Sequence, residues 1–291
     1  MAKVDICINS VSKLMDVVKE WEPKYFNYQI GYPETWFRGQ GSVNDPLRPG
    51  ILRKKIFKND KHIDFPRGKF DMERSLFVRF IHMTPELFPI GLSNVEKYFI
   101  AQHYGLPTRL LDWTTSPICA LYFAVEENPD YEDLDGVLYG MNPKMLDWKG
   151  VHLQSHPNLE KHVNNLIADV DKCTPMNKYE KSRPIAYYPS WSSKRMHSQS
   201  ARFVFFEPIP DQQNEKTDID ETIFDLKDDT PRKDLVRYII PAHKKIKIRN
   251  ELRLLGISRS TFFPDIDNIV RDIKEHYIYW TKFFDILTPD F

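Results

Sequence analysis

Cysteine is nearly absent from this chain: Cys7, Cys119 and Cys173 are few, odd in number and far apart, which excludes a disulfide framework and a zinc knuckle. Net charge is absent too. With 41 Lys and Arg against 41 Asp and Glu, a histone-like grip on nucleic acid is excluded, and any such contact has to come from a local patch. No apolar run approaches the roughly 20 residues of a membrane span. The opening MAKVDICINS has no hydrophobic stretch before a cleavage site, so a cytoplasmic protein away from membrane is expected. Also missing are a GxSxG elbow, a P-loop, GxGxxG and HExxH, and no metal site is expected. Glycine is sparse, 11 against 21 prolines, which points to a rigid, turn-rich fold.

What is present is an ordinary globular balance, 41% hydrophobic and 28% charged, in a chain long enough to bury a full core. Neither an internal repeat nor an inter-domain linker shows. One α+β domain is therefore expected over residues 1–291, a mixed or antiparallel β core flanked by helices. Its parts are a helical lead-in over 1–30, a core over 31–291 and a charged surface loop over 212–234. Val11, Leu14, Val17, Val18 and Trp21 recur at helical spacing ahead of Pro23. Thr35 to Arg38 reads as a short strand stopped by Gly39, and 41–68 as a long ordered loop carrying Arg48, Arg53, Lys54 and Lys55. Asp71 can cap a helix through His82, while Ser93 and Glu96 form a capping box for one that Gly105 and Pro107 stop. LPTRLLDWTT then reads as a connector into a central helix that opens at Ser116-Pro117. Strands are expected at Val137 to Met141, Arg202 to Glu207 and Leu235 to Ile240, with a short helix over Glu251 to Leu255 and a last helix introduced by Phe263-Pro264-Asp265. The second of these should turn Ile266, Ile269, Val270 and Ile273 inward.

Three polar clusters lie beside segments that must be buried. In Trp36-Phe37-Arg38-Gly39-Gln40 a guanidinium follows two aromatics, and the glycine lets something approach the backbone. Arg38 there is either a phosphate ligand or half of a structural ion pair. The second cluster runs from Gln102 to Pro117 and carries His103, Arg109, Asp112, Thr114, Thr115 and Ser116 between two largely apolar helices, so it knits a buried network or lines a pocket. Asp112, between Leu111 and Trp113, is expected to be buried with Arg109 as its nearest cation. In the third, Arg195 to Phe203, the neutral amide of Gln199 could orient a ligand.

In this order the clusters resemble the FRG domain family, named for its aromatic-Arg-Gly motif and found in bacteria and their mobile elements. The resemblance rests on WFRGQ, the Leu47 to Pro49 segment, the Glu73 to Phe80 helix, AQHYGLPTRLLDWTTSPICALYFA from Ala101 to Ala124, RMHSQSARF and FFPDID. The motif order is also similar to that of ADP-ribosyltransferases. That similarity implies an NAD-binding effector in a toxin or phage-defence setting, with NAD as substrate and a protein or nucleic acid as acceptor. An antitoxin or defence-system partner would accompany it. Arg38, His103 and Gln199 would then be catalytic, with Gln40, Arg109, Asp112, Thr114, Thr115 and Ser116 binding the ligand around one cavity. Gln199 departs from the pattern, since a transferase wants a Glu there; an amide cannot supply the same charge to an oxocarbenium-like transition state, and Glu207 is the nearest substitute. The rival reading is a non-catalytic nucleotide or nucleic-acid sensor or adaptor using the same pocket.

Overall fold

A computed structural model describes residues 6–21, 35–53, 69–143, 146, 152–153, 157–168, 184–189, 194–206 and 235–287. In chain order the elements are α1 (Val11–Trp21), β1 (Trp36–Gln40), α2 (Lys69–Met83), α3 (Asn94–His103), β2 (Leu110–Thr114), α4 (Pro117–Val125), β3 (Gly136–Met141) and β4 (His152–Leu153). They continue with α5 (Pro157–Ile167), β5 (Ile185–Tyr188), α6 (Lys194–Ser198), β6 (Ala201–Phe205), β7 (Leu235–Ile240), α7 (Lys245–Leu254), α8 (Arg259–Phe262) and α9 (Ile266–Leu287). Lys54, Lys55, Glu207 and the charged stretch 212–234 lie outside the described residues.

The fold is mixed α/β. Seven strands form one sheet in the order β4-β5-β6-β2-β1-β3-β7, antiparallel except between β4 and β5. Because side chains alternate across a strand, each face collects its own core. On one face Leu110, Phe203, Phe205 and Tyr187 pack with Phe77 and Phe99 of α2 and α3, while Phe37, Leu138 and Tyr238 pack under α4. On the other, Trp36, Leu111, Trp113 and Tyr139 pack with Leu47 of the loop after β1.

Local signals held where capping chemistry was explicit. Ser93 and Glu96 make both bonds of the capping box, Gly105 takes the left-handed φ of 85° that ends α3, and the Ser116 hydroxyl accepts from the Cys119 amide at the start of α4. Strand β1 does not stop at Gly39 but runs through it. There the missing side chain makes room for α4, since a Cβ would stand 1.8 Å from the Ala120 carbonyl oxygen. The expected connector contains β2, a strand with β1 and β6 on its two sides; Leu110, Leu111 and Trp113 are all buried, so no apolar-polar alternation marks it. Helix α2 begins two residues ahead of Asp71, which sits in its first turn, and α7 begins at Lys245, well before Glu251.

The last helix is oriented opposite to expectation. Ile266, Ile269, Val270 and Ile273 point outward, because the polar side of α9 is the side tied to the molecule. Asp272 accepts from the Ser258 hydroxyl (2.5 Å) and the Ser260 amide (2.6 Å), and Asn268 accepts from Arg259 Nε (2.7 Å).

Candidate functional site

Strands β1 and β2 share one register pair, Phe37 with Thr114, whereas β1 and β3 share five. Where the first two part, Arg38 Nη1 donates to the Asp112 carbonyl at 2.5 Å, and Nε donates to Gln40 Oε1 at 3.1 Å. The Gln40 amide donates in turn to the Asp45 carbonyl, fixing its orientation under the loop after β1. Among the described residues no carboxylate lies within ion-pair distance of Arg38, so the structural ion pair is not what holds it. Burial lowers its pKa to about 10, against the opposing charge of Asp112 and with a further push from Arg53. It is a cation at neutral pH whose hydrogen bonds go to neutral oxygens.

Asp112 is exposed, not buried, and Arg109 is not its partner. Both Asp112 oxygens accept from the Gln102 amide, at 3.0 and 2.9 Å, and the Thr108 hydroxyl donates to the other end of that amide at 2.5 Å. Arg109 instead donates from Nε to Glu73 at 3.0 Å, and its backbone N–H lies 3.1 Å from the same carboxylate and 2.9 Å from the Tyr98 hydroxyl. Arg109 lies just ahead of β2 and reaches Glu73 of α2, whereas Asp112 lies inside the strand and meets Gln102 of α3. The Tyr98 hydroxyl donates to Glu73, and His162 Nε2 stands 3.3 Å from it without hydrogen-bond alignment. Desolvation would push the Glu73 pKa up, but His162, Arg109 and Tyr98 outweigh it and hold the carboxyl below its ordinary range. Arg109 is thus a buried cation paired with Glu73. Glu73, Tyr98 and His162 were not singled out from sequence; the carboxylate on the apolar side of α2 was the available signal.

Thr114, Thr115, Ser116 and Gln199 come together, chiefly through backbone. The Thr114 hydroxyl donates to the Gln199 carbonyl at 2.6 Å and accepts from the Ser116 amide, while the Thr115 amide donates to the Ser200 carbonyl. The Gln199 side chain is spent on the Phe262 carbonyl, 3.1 Å away. His103, at the end of α3, gives its carbonyl to Arg195 Nη1 at 2.6 Å. Burial and the Arg195 charge lower the His103 pKa to about 4, so its imidazole is neutral. Arg195 lies over the Phe263 ring at 4.1 Å, with a buried Nε that has no hydrogen-bond partner.

Among the described residues, Arg38 and Thr114 do not leave the sheet on one face. Phe37 and Thr114 are in register and share the helix-covered face, so Arg38 leaves the sheet on the opposite face. Asp112 stands between the groups: its carbonyl holds Arg38, and its charge also acts on Arg195. Among the described residues no group of three His, Cys, Asp or Glu is placed to hold a metal ion, and no helix is long and apolar enough to cross a membrane.

A mixed α/β molecule with a desolvated arginine in a parted sheet is the class that fold and site define. More particularly, residues 33–133 match the model of the FRG domain, so the chain carries an FRG domain over the stretch that holds Arg38, Glu73, Arg109 and Asp112. No curated protein and no solved structure matches it.

Proposed function

We propose that this FRG domain binds a nucleotide of the NAD class, with Arg38 meeting the diphosphate. One observation carries the reading: a half-buried guanidinium, ionised and without a carboxylate, has its hydrogen bonds on neutral oxygens while Arg53 adds positive potential nearby. A bound phosphate would supply the missing counter-charge through charge-assisted hydrogen bonds. ADP-ribosyl transfer by a bacterial toxin or phage-defence effector is the reaction this reading brings with it. The ribose C1′–nitrogen bond breaks, nicotinamide leaves with the electron pair, and the acceptor attacks C1′ and releases its proton. The carboxylate that steadies the developing cation is then Asp112, oriented by Gln102, and not Gln199; because Asp112 shares the Thr114 face and Arg38 leaves on the other, the nucleotide has to span the gap where β1 and β2 part.

The rival, a sensor or adaptor that binds the nucleotide without turning it over, draws support from the separation of Arg38 from the Thr114–Ser116 turn. Calorimetric titration with NAD and with ADP-ribose tests binding. Arg38→Ala should weaken it about tenfold or more while leaving the melting temperature in place, and unchanged affinity would remove Arg38 from the site. Radiolabelled NAD with cell extract separates the two readings: labelled product from the wild type and none from Asp112→Asn supports transfer. Binding without product, together with no toxicity on expression, selects the sensor.

A further inference from the structure

Helix α9 is fastened to the molecule by its polar side and turns its apolar side to solvent, the reverse of a surface helix that completes a core. Ile266 is 78% exposed, Ile273 63% and Tyr277 72%, with Val270 also exposed, and none of the four joins an apolar cluster among the described residues. Their spacing is four, three, four. The sequence carries the same alternation on through Trp280, Phe284 and Leu287, so a 3-4 apolar repeat runs the length of the helix. That is the seam of a coiled coil, in which a partner helix of the same pattern fills the stripe by knobs-into-holes packing.

We propose that α9 is a self-association element that pairs antiparallel with α9 of a second copy of the chain. The flanking charges select this occupant. Laid antiparallel about a twofold axis, Val270 meets Ile273 of the second copy and Ile266 meets Tyr277. Asp267 then falls beside Lys274 of the second copy on both sides of the axis. A parallel pairing sets Lys274 against Ile269 and offers no such match. The helix also lacks the basic polar face of one that lies on anionic lipid, since Arg271, Lys274 and Lys282 are balanced by Asp267, Asp272, Glu275 and Asp285.

Sedimentation velocity of the full chain up to ~100 µM is the test, with a dimer as the expected species. Ile273→Asp should raise the dissociation constant about hundredfold with an unchanged melting temperature, because a charge in the seam loses its water. Lys274→Asp should weaken the dimer, and the exchanged pair Asp267→Lys with Lys274→Asp should restore it. A wild type that stays monomeric, or a dimer indifferent to Ile273→Asp, overturns the proposal. So does a monomer that instead sediments with phosphatidylserine vesicles. Failure of the exchanged pair to restore association overturns the antiparallel arrangement.

Discussion

Replacing Glu73 by Gln leaves the shape of the side chain almost unchanged and takes away its charge, which makes it a sharp probe of the buried network behind β2. Glu73 is 1% exposed and Arg109 6%, so neither can turn to water when the other is altered. The carboxylate accepts from Arg109 Nε and from the Tyr98 hydroxyl, and an amide must present at least one N–H toward those donors. Breaking one half of such a pair costs about 3–5 kcal/mol, equivalent for a chain of this size to a melting temperature lowered by roughly 5–8 °C. Arg109→Met should cost a similar amount, and the double variant should cost less than the sum by at least about 1 kcal/mol. Chemical denaturation followed by circular dichroism measures all three. The pH dependence has a definite sign. The folded pKa of Glu73 is depressed from 4.5, so its stabilisation is present above that value and is lost as pH falls through the folded pKa. The folded pKa of His162 is depressed from 6.5 chiefly by burial, so its contribution likewise is full above 6.5 and declines on acidification. Both act toward acid lability, and Glu73→Gln should flatten the lower part of the curve. A loss under about 1 kcal/mol at neutral pH, or strictly additive variants, would refute a coupled buried pair.

Gly39→Ala should be among the most damaging single changes, at about 3 kcal/mol or more, because the new methyl overlaps the Ala120 carbonyl; denaturation at neutral pH measures it. Asp112→Asn should shift stability by less than about 1 kcal/mol, since the side chain is exposed and bonded to Gln102 alone, whatever it does to activity. Gln199→Glu should destabilise by about 1–3 kcal/mol and raise no transferase activity, because it sets a carboxylate against the Phe262 carbonyl oxygen. The His103 ring should titrate near 4 by NMR, well below an exposed histidine, and a midpoint above 6 would contradict its burial beside Arg195.

Sequence was most legible where a residue's local chemistry decides its structure. The Ser93 box, the Ser116-Pro117 start and the β-branched and aromatic run at Arg202 each carry their own warrant within a few residues, and each appears where expected. Strand β2 escaped because a strand buried on both faces has no period-two pattern, and Thr108 and Arg109 ahead of it with Asp112 at its centre resemble a connector. The α9 stripe was visible as a stripe but its direction was not, since periodicity says that a face is apolar and not what it meets. The same limit applies to the site. Arg38 and Asp112 were singled out by residue type, whereas the pairing of Arg109 with Glu73 and of Asp112 with Gln102 depends on how α2 and α3 pack on β2, which brings together residues 36 and 10 positions apart.

The two glycines that face α4 have a mechanical consequence. A Cβ at Gly39 would meet the Ala120 backbone, and one at Gly136 would stand 2.6 Å from the Ala124 carbonyl oxygen, so helix and strands are in backbone contact along two successive strands. Such a contact has no side-chain cushion through which to slide. Strands β1 and β3 therefore move with α4 as a single plate, and Arg38 is carried on that plate. Slack is left on the opposite face, where the loop after β1 is held to the plate by the Gln40 amide on the Asp45 carbonyl and the Val43 amide on the Asp135 carbonyl. On the proposed reading, a nucleotide at Arg38 would meet a guanidinium whose backbone root is fixed to α4, beside a loop held to the sheet by a few hydrogen bonds.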